Sequence, residues 1–152
     1  NMTNETLITQ EGLEQLKEEL NELKSVRRIK VSKRIQEAIA LGDLSENSEY
    51  DDAKNEQAFV EGRISELEIN PYSKIIQESD DSSAKVRLGS KVILEDVETG
   101  DRFEYTVVGT AEADPFNNRI SNESPVGKAI LGQPIQRSES RRRHGQSAGQ
   151  AN

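Results

Sequence analysis

The chain has 152 residues, 28 acids against 20 Lys and Arg for a formal charge of −8, and no cysteine. That length holds one ordinary domain or two small ones, and 32% hydrophobic with 4% aromatic residues suits a rod joined to a small sheet better than one large core. The charge argues against a general DNA binder. The missing cysteine excludes disulfides and thiolate metal sites and fits a reducing cytoplasm, and neither a membrane-spanning apolar run nor a signal-peptide pattern is present.

Charge is unevenly spread: residues 1–80 carry 18 acids and 10 bases, residues 81–132 nine and six, and residues 133–152 one and four. In the first periodic segment Thr9 can cap a helix and Glu11 favours its positive end. Leu13, Leu16, Leu20 and Leu23 then follow in heptad steps. The pattern loosens through Val26 and Ile29, resumes at Val31, Ile35, Ala38 and Ile39, and meets no proline before Leu41. One helix of about 30 residues would be roughly 45 Å long, with Gly42 as its stop. Acids come early, at Glu11, Glu14, Glu18, Glu19 and Glu22. Bases come late, at Lys24, Arg27, Arg28, Lys30, Lys33 and Arg34. These bases are either solvated flanks of the seam or a local footprint for a nucleic acid backbone.

Leu41 to Asp52 then reads Leu-Gly-Asp-Leu-Ser-Glu-Asn-Ser-Glu-Tyr-Asp-Asp, with five carboxylates at Asp43, Glu46, Glu49, Asp51 and Asp52 and no Lys or Arg. Like charges this close repel unless a cation visits them. An EF-hand loop starting at Asp43 would need glycine where Ser48 stands and glutamate where Lys54 stands. A glycosidase carboxylate pair would need a cleft, which a hairpin turn does not offer. Two or three carboxylates on a turn can, however, complete the coordination of a magnesium held by another protein. With two such ions about 4 Å apart, phosphodiester hydrolysis proceeds by activating water at one and stabilising the leaving oxygen at the other. Alternatively the acids keep the turn soluble and favour the start of the next helix, capped by Asn47 or Ser48. For Glu49, Asp51 and Asp52 the accounts are evenly matched, whereas Asp43 and Glu46 precede the helix and fit the metal reading better.

Tyr50, Ala53, Gln57, Val60, Ile64 and Leu67 continue in alternating steps of three and four as far as Pro71. Two seamed helices around a short turn make an antiparallel α-helical coiled-coil hairpin over 7–76, with Gln57 as a register-setting polar residue. A linker is expected over 77–85. Ser90 to Asp96 and Arg102 to Val108, joined through Thr99-Gly100-Asp101, read as a β-hairpin in which Phe103, Tyr105 and Val107 share the dry face. Asp114-Pro115 and Asn117-Asn118 mark a turn before a short strand near Ile120, and Ser124-Pro125 opens a helix through Lys128 to Leu131. The fold class is therefore α+β, a helical hairpin followed by a small α+β domain over 86–132. From Gln133 neither periodicity survives, so 133–152 is expected to be a mobile basic tail, with the sole histidine, His144, as a solvated side chain.

Gly42-Asp43-Leu44-Ser45-Glu46-Asn47-Ser48-Glu49-Tyr50, with Glu61-Gly62-Arg63-Ile64 and Ile120-Ser121-Asn122-Glu123-Ser124-Pro125-Val126-Gly127, resembles the bacterial Gre transcript-cleavage factors, GreA branch, over residues 7–132. The resemblance implies a cytoplasmic monomer whose coiled coil enters the secondary channel of RNA polymerase while a C-terminal domain of FKBP-like fold docks at the channel rim. Asp43 and Glu46 would be the catalytic tip acids that help hold the polymerase's second Mg2+ and its attacking water, the factor having no cofactor of its own. The consequence would be endonucleolytic cleavage of the backtracked RNA 3′ end within the polymerase, with no activity in its absence. Ser121, Ser124 and Pro125 match the polymerase-contact segment, and Arg34 and Lys54 are the candidates for the RNA-proximal basic patch.

One departure stands out. Family members continue past Leu131-Gly132 with two further strands, acidic and valine-rich, where this chain has an arginine-rich tail, so a weakened C-terminal domain and impaired docking are expected. Two other functions remain open: a Gre-like channel binder that inhibits the polymerase, and a coiled-coil adaptor whose acids only solubilise.

Overall fold

The computed structural model describes residues 10–43, 46–77 and 84–137. The capping role expected of Thr9 and the tail from residue 138 onward, His144 included, lie outside them. The chain opens on helix α1 (Gln10–Glu22), passes through a π-helical turn (Leu23–Arg27) into α2 (Arg28–Ala40), and returns along α3 (Ser48–Leu67). From Leu23 to Val31 is eight residues where a heptad seam wants seven. The π turn absorbs the extra one through a hydrogen bond from the Arg28 N–H to the Leu23 carbonyl, five residues back. Its Ser25 hydroxyl donates to the Asn21 carbonyl at 2.6 Å. The loosened periodicity around Val26 thus marks a local rewinding within a continuous rod about 45 Å long.

The seam between the arms buries Leu23 and Val31 against Val60, Ile64 and Leu67, with Leu16, Leu20 and Ile35 at its margins. Ala38 and Ala53, 1% and 0% exposed, allow the backbones to close up before the turn. Four of the six later bases on the first arm are engaged across the seam. Arg28 binds Glu61 through two hydrogen bonds of 2.8 Å, Lys24 pairs with Glu68 at 2.8 Å, Arg27 lies 3.6 Å from Glu56, and Arg34 holds both Glu49 and Glu56. In the reverse sense Arg63 of α3 donates to Glu19 of α1 at 2.9 Å. Exposed pairs of this kind contribute little stability apiece, but alternating partners on facing helices select one register.

The second unit is a five-stranded sheet in the order β4-β3-β2-β1-β5, built from β1 (Lys74–Gln77), β2 (Lys91–Glu95), β3 (Arg102–Val108), β4 (Arg119–Ser121) and β5 (Gln136–Arg137), with helix α4 (Pro125–Ile130). The expected hairpin is present, β2 and β3 pairing antiparallel from Lys91↔Thr106 to Glu95↔Arg102. Tyr105 and Val107 are buried as expected, whereas Phe103, at the far end of the strand, is 43% exposed.

Two expected boundaries move. Residues 74–76, assigned to the hairpin, belong to the sheet: Ile75 and Ile76 are both buried, and β1 lies between β2 and β5. A four-residue strand whose two central residues are both buried has no polar alternation to betray it. The tail also begins later than Gln133, because Ile135 is 3% exposed in the core, the Val86 N–H donates to the Gln133 carbonyl, and Gln136–Arg137 pair parallel with β1.

Candidate functional site at the hairpin tip

The tip is set by two backbone devices. As α2 ends, the N–H groups of Leu41 and Gly42 bond the Ala38 and Ile39 carbonyls at 3.1 Å each, and Gly42 turns the chain out at φ 117°, a conformation L side chains avoid. Asn47 then closes both arms at once. Its Oδ1 accepts from the Tyr50 N–H at 3.0 Å as the α3 N-cap. Its Nδ2 donates at 2.7 Å to the Ala38 carbonyl, which also accepts from the Leu41 N–H, so the end of α2 is tied to the start of α3.

Asp43 and Glu46 flank the top of this clasp, and both are exposed. Leu41 beside them is 72% exposed. The remaining acids divide. Glu49 accepts from the Arg34 Nε at 2.8 Å, so it belongs to the shaft, and with Asp51 it occupies the first turn of α3, where negative charge is favoured. Asp52 is exposed on the same helix. Among the described residues no three carboxylate, histidine or cysteine groups gather as a cation site. Asp43 and Glu46 fit magnesium as one or two supplementary carboxylates on an ion whose other ligands come from elsewhere.

The two RNA-proximal candidates differ. Arg34 spends its guanidinium inside the molecule, with Nε on Glu49 and Nη1 on Glu56 at 2.7 Å, and the hydrogen bond to Glu49 raises its pKa above the usual arginine range. Lys54 is exposed, its Nζ donating to the Gln57 Oε1 at 3.1 Å.

The three partner-contact candidates sit at the opposite end of the rod. Ser121 and Ser124 are 8% and 3% exposed, and Pro125, the first residue of α4, is half-buried. The Ser121 Oγ shares a 2.8 Å hydrogen bond with the Thr110 hydroxyl and accepts from the Glu123 N–H at 2.9 Å. The Ser124 Oγ caps α4 by accepting from the Gly127 N–H, and it faces the Glu66 carboxylate at 2.7 Å. These serines therefore shape the segment from within, leaving Pro125 and the exposed Glu123 and Lys128 as its outward surface.

Sequence reasoning missed Glu66. It is 1% exposed at the end of α3, and its Oε2 accepts from Ser124 and from the Val126 N–H at 3.0 Å. Burial raises its pKa above the ordinary carboxylate value, the two hydrogen bonds and the Arg63 charge opposing the shift. A glutamate in a charged helix looks solvated. The available signal was Gly62, one turn earlier, because a glycine inside a helix is unfavourable without a packing reason.

The profile of transcription elongation factors, N-terminal, matches residues 6–70, and that of transcription elongation factors, GreA/GreB, C-terminal, matches residues 81–137. Transcription elongation factor GreA of Thermoanaerobacter pseudethanolicus is 52% identical over 135 residues, spanning 88% of this chain and 86% of its own. That of Bacillus cytotoxicus is 54% identical over 129 residues, spanning 84% and 82%. Among solved structures, GreA factor homolog 1 of Thermus thermophilus is 35% identical over 84% of this chain and 82% of its own, with a TM-score of 0.38.

Proposed function

The chain belongs to the GreA/GreB family of transcription elongation factors, and we propose that it works by carrying Asp43 and Glu46 through the secondary channel of RNA polymerase to the polymerase's own catalytic metal. One observation carries this reading. Two exposed carboxylates stand at the end of a rod about 45 Å long, at a turn clasped by Asn47.

The chemistry divides between the partners. A magnesium held by the polymerase supplies water activation and stabilisation of the leaving oxygen, and Asp43 and Glu46 would hold it from the factor's side. Each carboxylate can also accept a hydrogen bond from the attacking water and so orient it toward the phosphodiester. The Asn47 clasp limits the motion of both acids, and the ion pairs of the shaft keep the arms in register. At the far end, Pro125 and its exposed neighbours meet the channel rim. The factor alone then hydrolyses nothing, and its effect is shortening of the backtracked RNA from its 3′ end.

The test is a transcript-cleavage assay on a backtracked complex. Asp43→Asn and Glu46→Gln are each expected to lower cleavage at saturating factor at least a hundredfold, within the range of removing a group that stabilises developing charge, while binding to polymerase stays within twofold. Full cleavage by both variants would overturn the assignment. Slowed nucleotide addition without shortened transcripts would identify a channel-binding inhibitor, and indifference of every polymerase assay to neutralising the tip would identify an adaptor.

A further inference from the structure

The base of the rod is joined to the sheet by contacts that the tip chemistry does not use. Glu66, at the end of α3, reaches out of the helix seam into the C-terminal unit. Its Oε2 accepts from the Ser124 hydroxyl at 2.7 Å and from the Val126 N–H at 3.0 Å, while Oε1 is buried without a partner. Burying a carboxylate with half its capacity unmet opposes folding, so a residue kept there needs a purpose other than stability. Both donors belong to the start of α4, so the contact fixes one helix end against another.

A second contact is independent of the first. Four residues before Glu66, an added Cβ at Gly62 would fall 2.7 Å from the Pro115 carbonyl oxygen and closer still to the peptide leading into Phe116. The α3 backbone therefore lies directly on the backbone of the turn before β4. A third tie runs from the Asn70 Nδ2 to the Asp96 Oδ1 at 3.1 Å, connecting the chain after α3 to the β2–β3 turn. The three contacts reach separate segments of the C-terminal unit, the start of α4, the turn before β4 and the β2–β3 turn, and together they restrain its orientation.

We propose that Glu66 is a positioning residue that fixes the angle between the rod and the C-terminal unit, and with it the direction in which the tip acids point when that unit is docked. The inference rests on the reading that the rod enters the polymerase. It assigns Glu66 no contact with metal or RNA. Loss of the junction lets the rod sample many angles, of which only a fraction enters the channel, and apparent affinity falls by that fraction. Once inserted, the tip is held by the channel, so the maximal cleavage rate is preserved. This is the opposite signature to that of Asp43 and Glu46.

The chain has no cysteine, so spin labels can be placed cleanly on the full-length protein through Gln36→Cys on α2 and Glu104→Cys on β3, both exposed positions. The parent is expected to give one narrow distance distribution. Glu66→Ala should broaden it and raise the factor concentration for half-maximal polymerase binding about fivefold, as when a fifth of the population remains competent, with saturated cleavage within twofold. Glu66→Gln keeps an acceptor for Ser124 and Val126 and should restore the narrow distribution. Gly62→Ala attacks the junction from the other side and should reproduce the broadening while helical circular dichroism is maintained or increased, since alanine is the better helix residue.

A distribution as narrow in Glu66→Ala and Gly62→Ala as in the parent overturns the proposal. So does broadening with no change in half-maximal binding. If the parent binds polymerase but stimulates no cleavage, the functional reading fails separately, and the distance and binding measurements still decide the role of Glu66.

Discussion

At the residue scale the informative side chains do two jobs or leave one undone. Asn47 caps α3 and clasps the end of α2, so Asn47→Ala should cost about 1–2 kcal/mol, the upper part of the range for a lost cap, and speed amide exchange at Tyr50 and around the tip. An unchanged melt with unchanged exchange would remove Asn47 from the account of the tip. Glu66 behaves in the opposite sense from a paired surface acid. Its folded pKa is raised by burial, with Ser124, Val126 and Arg63 opposing the shift, Glu19 adding to it, and Tyr105 close enough for its hydroxyl to be pushed up to about 12 by burial and by the Glu66 charge. Below the unfolded carboxylate value both states are protonated. As the pH rises through that value and then through the higher folded one, the folded state holds the proton longer and stability is lost. As the pH rises above the ordinary carboxylate value the melting temperature of the parent should therefore fall relative to that of Glu66→Gln, and parallel curves would contradict the assigned burial. Glu61 has the contrary sign. Arg28 lowers its pKa by hydrogen bonding, so its contribution is present above the ordinary carboxylate range and lost on acidification.

At the element scale the hairpin was legible because its seam repeats. Ala53, Val60, Ile64 and Leu67 are all buried where their spacing put them, and Ser124-Pro125 opened α4 as serine-proline pairs do. What could not be read was any element whose identity depends on a partner distant in sequence. β1 looks like the end of a helical hairpin until Glu95 and Gln136 flank it, and β5 gains strand character only by lying beside β1. The same holds for the bases of the first arm, whose pairing with Glu56, Glu61 and Glu68 requires the fold. The π turn lies between these cases, since its trace in the sequence is one residue too many between Leu23 and Val31. Deleting Ser25 should return that stretch to regular α-helix with the flanking seam intact. The expected result is unchanged helical circular dichroism and a melting temperature at or above the parent's. A cooperative loss of helix on deletion would mean that the turn is required for the hairpin to form.

At the scale of the whole molecule the chain is two small cores joined at one end of α3. Each core was foreseeable in outline, from the heptads and from the β-hairpin, but the way they are joined was not, because Glu66 and Gly62 have no pattern of their own. The C-terminal core reaches beyond Gly132, where periodicity fades, to the end of the family match at residue 137. Ile135→Ala should lower the stability of that unit by about 2–5 kcal/mol, as expected for a large buried aliphatic cut to alanine, read as a shift in the urea transition of sheet signal with the helical transition less affected. A shift below about 0.5 kcal/mol, the level of a surface substitution, would return residues 133–137 to the tail. The cross-seam pairs of the shaft carry a last consequence, in the kinetics of encounter. Opposite charges matched within a few ångströms have a field that dies away within about a Debye length, some 8 Å at physiological ionic strength, so most of the shaft exerts little pull at a distance. Long-range steering is then left to the exposed acids around the turn, so a partner surface carrying positive charge would draw the rod in tip first. Its association rate should fall with added salt, and Asp43→Asn should make that fall shallower while Lys24→Gln leaves the slope unchanged.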